Sequence, residues 1–278
     1  LADHPFILPS NTAFAGDNNI ATFDAAASDH VFFFDHRPLQ LASIKVWKPD
    51  GTPGEPYNAS QGRLRSVFDV KLDQQGTWKI VGLQTMITGS FKLNGEEHRV
   101  GSRAGPPPVA PGGGDKAMTG AARPAEGAPR RLPPVAFEDI PADGTDVHLS
   151  EMVGRVETFV TAGEPTLTVF KPVGKGLELA PITHPNSAVA GETTRFRFLI
   201  DGKPAAGLTV TVIQGGDRYR DDEGAIELTT GPDGVVPIRW PSAGRYWLGA
   251  EAQDDKPDEK RAEIRKMSYA ATIEVATP

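Results

Sequence analysis

The chain has no cysteine, which removes disulfides, thiolate metal ligands and thiol nucleophiles at once. No apolar run approaches the roughly 20 residues that a membrane-spanning helix requires. The apolar stretches are strand-sized, residues 31–34 being typical, so membrane insertion is not expected. Basic side chains are in deficit, 29 against 36 acidic ones for a formal charge of −7. No basic stripe gathers them, which argues against a nucleic-acid partner. The cluster Arg218, Tyr219, Arg220 is answered at once by Asp221, Asp222 and Glu223 and reads as a solvated hairpin tip. Catalytic signatures are missing too: there is no nucleophile elbow, no zinc-protease helix, no P-loop, no calcium loop and no dinucleotide fingerprint. The chain is therefore not expected to be an enzyme, although its many carboxylates could pair across distant strands.

What is present is a repetition. Asn11-Thr12-Ala13-Phe14-Ala15-Gly16-Asp17 returns in the second half as Asn186-Ser187-Ala188-Val189-Ala190-Gly191-Glu192, each preceded by a His-Pro pair, His4-Pro5 and His184-Pro185. Each copy later reaches an aromatic strand entered through glycine, Gly76-Thr77-Trp78-Lys79-Ile80 and Gly244-Arg245-Tyr246-Trp247-Leu248. A period this long exceeds the roughly 20–50 residues of solenoid repeats and predicts two similar β domains in tandem.

Strand patterns dominate both halves. Phe196, Phe198 and Ile200 alternate with Arg195 and Arg197, and Ile44 with Val46 and Val210 with Val212 alternate with polar neighbours, as half-buried strands must. Asp50-Gly51, Asn94-Gly95, Asp201-Gly202 and Asp233-Gly234 supply hairpin turns. No helical stripe is sustained. The expected fold is all-β, two tandem antiparallel β-sandwiches of immunoglobulin-like or transthyretin-like type: residues 1–100, and residues 137–278 with two preceding strands that bridge the sandwiches. Residues 101–136, rich in glycine, proline and alanine, read as a linker or surface excursion, since such composition buries too little apolar surface to offset its ordering entropy. Leu1-Ala2 resembles the end of a signal-peptidase site, so an exported, periplasmic protein is expected.

Histidine is the remaining chemical handle. Of six, His30 and His36 bracket the densest cluster, Asp29-His30-Val31-Phe32-Phe33-Phe34-Asp35-His36, and carboxylate with imidazole suits borderline transition metals. Drawn as one strand, the segment separates His30 from His36 by about 20 Å and turns Asp35 and His36 to opposite faces. A site would then be completed from elsewhere, by His4 or His184, each offered from a loop because proline follows it. The competing reading makes these strand-end histidines, with Phe32 and Phe34 in the core. Trp47, Trp78, Trp240 and Trp247 read as core residues.

His4-Pro5-Phe6-Ile7-Leu8-Pro9-Ser10, Phe33-Phe34-Asp35-His36-Arg37-Pro38-Leu39, residues 154–161, Thr183-His184-Pro185-Asn186 and Gly244-Arg245-Tyr246-Trp247-Leu248 together resemble the NikM-like domain family, periplasmic proteins associated with nickel or cobalt uptake. The resemblance implies export, paired β domains and a transition-metal role for which His4, Asp35 and His36 are the positions carried over; with His184 from the histidine reading above, these are the expected ligands of a divalent ion, nickel, cobalt, zinc or copper. It implies an envelope transport or receptor protein, or a second copy, as partner. Members of that family often begin Ala-His, whereas Asp3 intervenes here between Ala2 and His4. The alternative is a non-enzymatic structural or protein-interaction module of the cell envelope or an extracellular assembly.

Overall fold

The structure, a computed structural model, describes residues 3–101 and 132–278. Most of the expected linker, 101–136, and the Leu1-Ala2 junction lie outside the described residues. Among those described there is no α-helix, only strands and five short 3-10 turns, and the all-β expectation holds. Among the described residues no helix is long and apolar enough to cross a membrane.

The strands form three sheets. The first runs His4–Pro9, Asn19–Ser28, Ser66–Leu72, Tyr57–Gln61, with Arg37–Pro38 added against Asn19–Ser28. The second, smaller sheet centres on Thr193–Ile200, flanked by Leu177–Pro181 and Val235–Arg239. The largest follows the order Ile226–Thr229, Thr209–Gln214, Gly244–Asp254, Ile264–Val275, Thr145–Ala162, Gly76–Leu93, Ile44–Trp47, Pro53–Gly54. It draws strands from both halves of the chain, with Thr145–Ala162 between Ile264–Val275 and Gly76–Leu93, while Leu177–Pro181 pairs with Thr193–Ile200.

Alternation explains how one sheet serves two cores. Along Gly244–Asp254, Tyr246, Leu248 and Ala250 enter one cluster with Phe196, Phe198, Val210 and Val212, while Trp247 enters the other with Phe6, Phe23, Phe68 and Trp78. On Thr145–Ala162, Phe159 belongs to the first cluster and Val156, Val160 and Ala162 to the second. Successive strand side chains point to opposite faces, so the large sheet contributes to a core from each face. The predicted turns form with the expected left-handed residues, Asn94 and Gly95 at φ +51° and +82° and Asp201 and Gly202 at +50° and +77°.

The described residues fall into two compact units, one of residues 1–85, 153–253 and 266–278, the other of 86–152 and 254–265. The second has its own small core of Phe91, Val100, Leu149 and Ala262. Its Gly89 sits at φ +153° with a Cβ position only 2.0 Å from the His148 carbonyl oxygen, so no side chain fits there.

Candidate functional site

The site is assembled by register. His4 pairs with Ser28 across the first two strands, and Ala27 pairs with Arg37 on the other side. Extending both ladders by one residue brings Asp3 beside Asp29 and His36 beside Ser28. Asp3, Asp29 and His36 each offer a donor atom, and these atoms lie within 4.8 Å of one another. His36 Nε2 is 3.5 Å from Asp3 Oδ1, while Arg37 donates to the other Asp3 oxygen at 3.3 Å. Two carboxylates and one imidazole form a borderline donor set suited to zinc, cobalt, nickel or iron.

Residues 29–36 are not the strand the aromatic run suggested. They form a loop in which Phe32 takes φ +65°, a conformation costly for a bulky residue. The Asp35 carboxylate accepts the Asp29 N–H at 3.0 Å and closes the loop. Phe32 and Phe34 pack against Phe6 at ring separations of 5.4 and 5.9 Å. Phe33 turns instead to Tyr219, with the Arg218 guanidinium over its ring. Gly215 lets Phe32 approach, its Cβ position being 3.1 Å from that ring. Asp35 therefore organises the loop and is not in the donor cluster.

The 217–223 segment is more than a solvated tip. Asp217 is buried and accepts from the Val31 N–H, with His30 Nδ1 at 3.2 Å from the same oxygen. Arg220 donates to the carbonyls of Gln214, Gly215 and Glu223.

His4 opens a strand rather than a loop and is buried, its ring edge-on to Trp247 at 4.7 Å. Its Nδ1 faces the Asp29 carbonyl oxygen at 3.2 Å and its Nε2 faces Glu223 Oε1 at 3.4 Å. Both partners are acceptors, so the doubly protonated ring satisfies both and a neutral ring only one.

His184 stands elsewhere, as the cap of the 3-10 turn Pro185–Ser187. Its Nδ1 accepts the Asn186 N–H, which places the ring proton on Nε2, and that donates to Thr77 Oγ1 at 2.9 Å. Thr77 Oγ1 also accepts the Thr166 N–H and passes its own proton to Thr161, which donates to Asn186 Oδ1. Burial lowers the His184 pKa from its ordinary value by disfavouring the charged ring. With both nitrogens engaged, this ring has no lone pair for a metal.

Of the four residues expected to ligate, the structure places one, His36, in the donor cluster, with His4 and Asp35 bonded to Asp29 beside it. Asp29 stands in the cluster read from sequence but is not among the expected ligands, and Asp3 is not either, because only strand register brings the two together.

A family profile described as "Domain of unknown function (DUF4198)" matches residues 1–254. No curated protein matches the chain. Among solved structures it is similar to a DUF4785 family protein of Legionella pneumophila, at 7% identity and a TM-score of 0.23, covering 88% of this chain and 50% of that one. It is similar also to a Salmonella alpha-2-macroglobulin reacted with methylamine, at 11% identity and a TM-score of 0.25, covering 98% of this chain and 15% of that one. The D0-D1 domain of intimin shows 10% identity and a TM-score of 0.21 over 96% of each chain. The chain thus spans half the Legionella protein or less of the macroglobulin, and at these scores none of the three carries an argument.

Proposed function

The chain belongs to the DUF4198 family, and from the geometry of its N-terminal loop we propose that it is a non-enzymatic, exported metal-binding accessory protein of the bacterial periplasm. Asp3, Asp29 and His36 hold a divalent transition metal, nickel, cobalt, zinc or copper, in connection with metal uptake of the NikM-like kind. Its partner is an envelope transport or receptor protein, or a second copy. The β architecture acts as a tandem of immunoglobulin-like sandwiches fused through one sheet. The observation that carries the reading is the convergence of three donor atoms within 4.8 Å. Three protein ligands leave coordination positions open, which suits an ion that is received and handed on. Asp3 keeps Oδ1 toward the cluster while Arg37 occupies Oδ2, so the donors fit without breaking that pair.

Calorimetric titration of the chelator-treated protein with each ion, beside an Asp29→Asn, His36→Ala variant, tests this. Micromolar or tighter 1:1 binding that the variant weakens at least tenfold is expected. Absence of heat with every ion ends the metal reading. The second reading, a metal-free interaction module, would then stand; it is favoured by the uncovered face of the large sheet beside Asp3.

A further inference from the structure

That uncovered face is a groove of about 600 Å³. Its floor is made by strand residues that alternate away from the first core: Thr209, Thr211, Gly249 and Ser268, with Ile213 and Ala270 of the second core where the groove ends. Three of these carry hydroxyls. The end wall is fixed: the Trp247 ring lies along the sheet over Gly249, where a Cβ would meet it at 2.0 Å, and its Nε1 donates to the Pro5 carbonyl at 2.9 Å.

The charges are uneven in a way that selects a ligand. Arg37 is held by Asp3 and Glu223 faces His4. Glu227 and Glu251 line the groove, are exposed, and have no hydrogen-bond or ion-pair partner among the described residues. They stand on the two strands that flank Thr209–Gln214, two spacings apart and offset by two residues, a separation of about 12 Å. From the Glu227 strand to the Ser268 strand the floor crosses three spacings, about 14 Å, the reach of roughly four extended residues. Hydroxyls on the floor can meet a peptide backbone, and two unpaired carboxylates can meet cationic side chains.

We propose that this groove binds a lysine- or arginine-bearing extended peptide segment of a partner protein. Glu227 and Glu251 pair with its cations, and Trp247 closes the end nearest His4. The groove shares Asp3 with the proposed metal cluster, but the peptide reading rests on Glu227 and Glu251 and not on a bound ion.

The test is calorimetric titration of the full chain with tetralysine, beside a Glu227→Gln, Glu251→Gln variant and a control, Glu96→Gln, Glu97→Gln, that removes the same charge from exposed positions of the other compact unit. Saturable 1:1 binding is expected, weakened at least tenfold in the groove variant and less than twofold in the control. Both substitutions are isosteric and at exposed sites, so folding is retained and a thermal melt verifies it. No binding, or equal loss in the two variants, overturns the proposal. Tighter binding of spermine than of tetralysine also overturns it, assigning the groove to a small polyamine.

Discussion

Two histidine neighbourhoods on this chain use the same residue types to opposite ends. Around His184 every polar atom is consumed: the ring, Thr77, Thr161, Thr166 and Asn186 close on one another. Around His36 the bonds are few, long and exposed, and acidic groups crowd with Arg37 as their countercharge. A closed network converts polar groups into rigidity, because any orphaned member would bear its desolvation penalty unpaid. An open cluster keeps lone pairs in reserve for a ligand. A His-Pro dipeptide stands in both neighbourhoods, yet the two histidines differ in role: His4 opens a strand next to the reserve, and His184 caps a turn inside the closed network.

The sharpest way to break this contrast is Thr77→Val, which keeps shape and deletes a buried hydroxyl with several partners. Leaving His184, Thr166 and Thr161 short of a bond each should cost about 3 kcal/mol or more, read as a denaturant midpoint shift with unchanged metal titration. An equal loss on both readouts would show that the two neighbourhoods are not separate. Next in size, Asp35→Ala removes the acceptor that closes the 29–36 loop. Metal affinity should fall severalfold although no donor is lost, for a stability change of about 0.5–1 kcal/mol.

The pH response separates the histidines further. The folded pKa of His184 lies below its ordinary value of 6.5, so under pH 6.5 the unfolded chain takes a proton that the folded ring resists. Stability should therefore fall as pH drops from 6.5 and level off below the folded pKa. His184→Asn, which preserves an acceptor for the Asn186 N–H, should flatten that slope in urea melts between pH 5 and 7. Smallest of all, His36→Ala should change stability by less than about 0.5 kcal/mol, as exposed substitutions do, while still weakening metal binding.

Legibility in the sequence followed the range of the interactions. Phe196 and Phe198 declared their face through alternation with arginine, and Asn94-Gly95 declared its turn, because both are dictated within a few residues. Trp78, Trp240 and Trp247 were recognisable as core from type alone, and all three are buried. Residues 29–36 misled because three phenylalanines carry strong strand propensity. A side-chain acceptor at Asp35 and packing against Tyr219 and Gly215 outweighed it, and these partners are distant in sequence. The meeting of Asp3 with Asp29 was invisible for the same reason, although Asp29 stood in the cluster read from sequence. Only the pairing of His4 with Ser28 sets them side by side, and an isolated aspartate at a strand end carries no mark of its neighbour across the ladder. Nor could alternation reveal that Thr209 and Thr211 floor an open groove, since the same pattern serves a solvated face.

The large sheet also has a history in time. Gly76–Leu93 lies beside Thr145–Ala162, and a ribosome adding about 5–20 residues per second leaves the first waiting for the second for several seconds. Through that interval the early strand has Ile44–Trp47 on one side and a bare edge on the other, the arrangement most open to pairing with a stranger. Refolding from denaturant should accordingly be slow for a β protein, its rate set by that late meeting of distant strands, and the chain has most need of a chaperone in the interval between them.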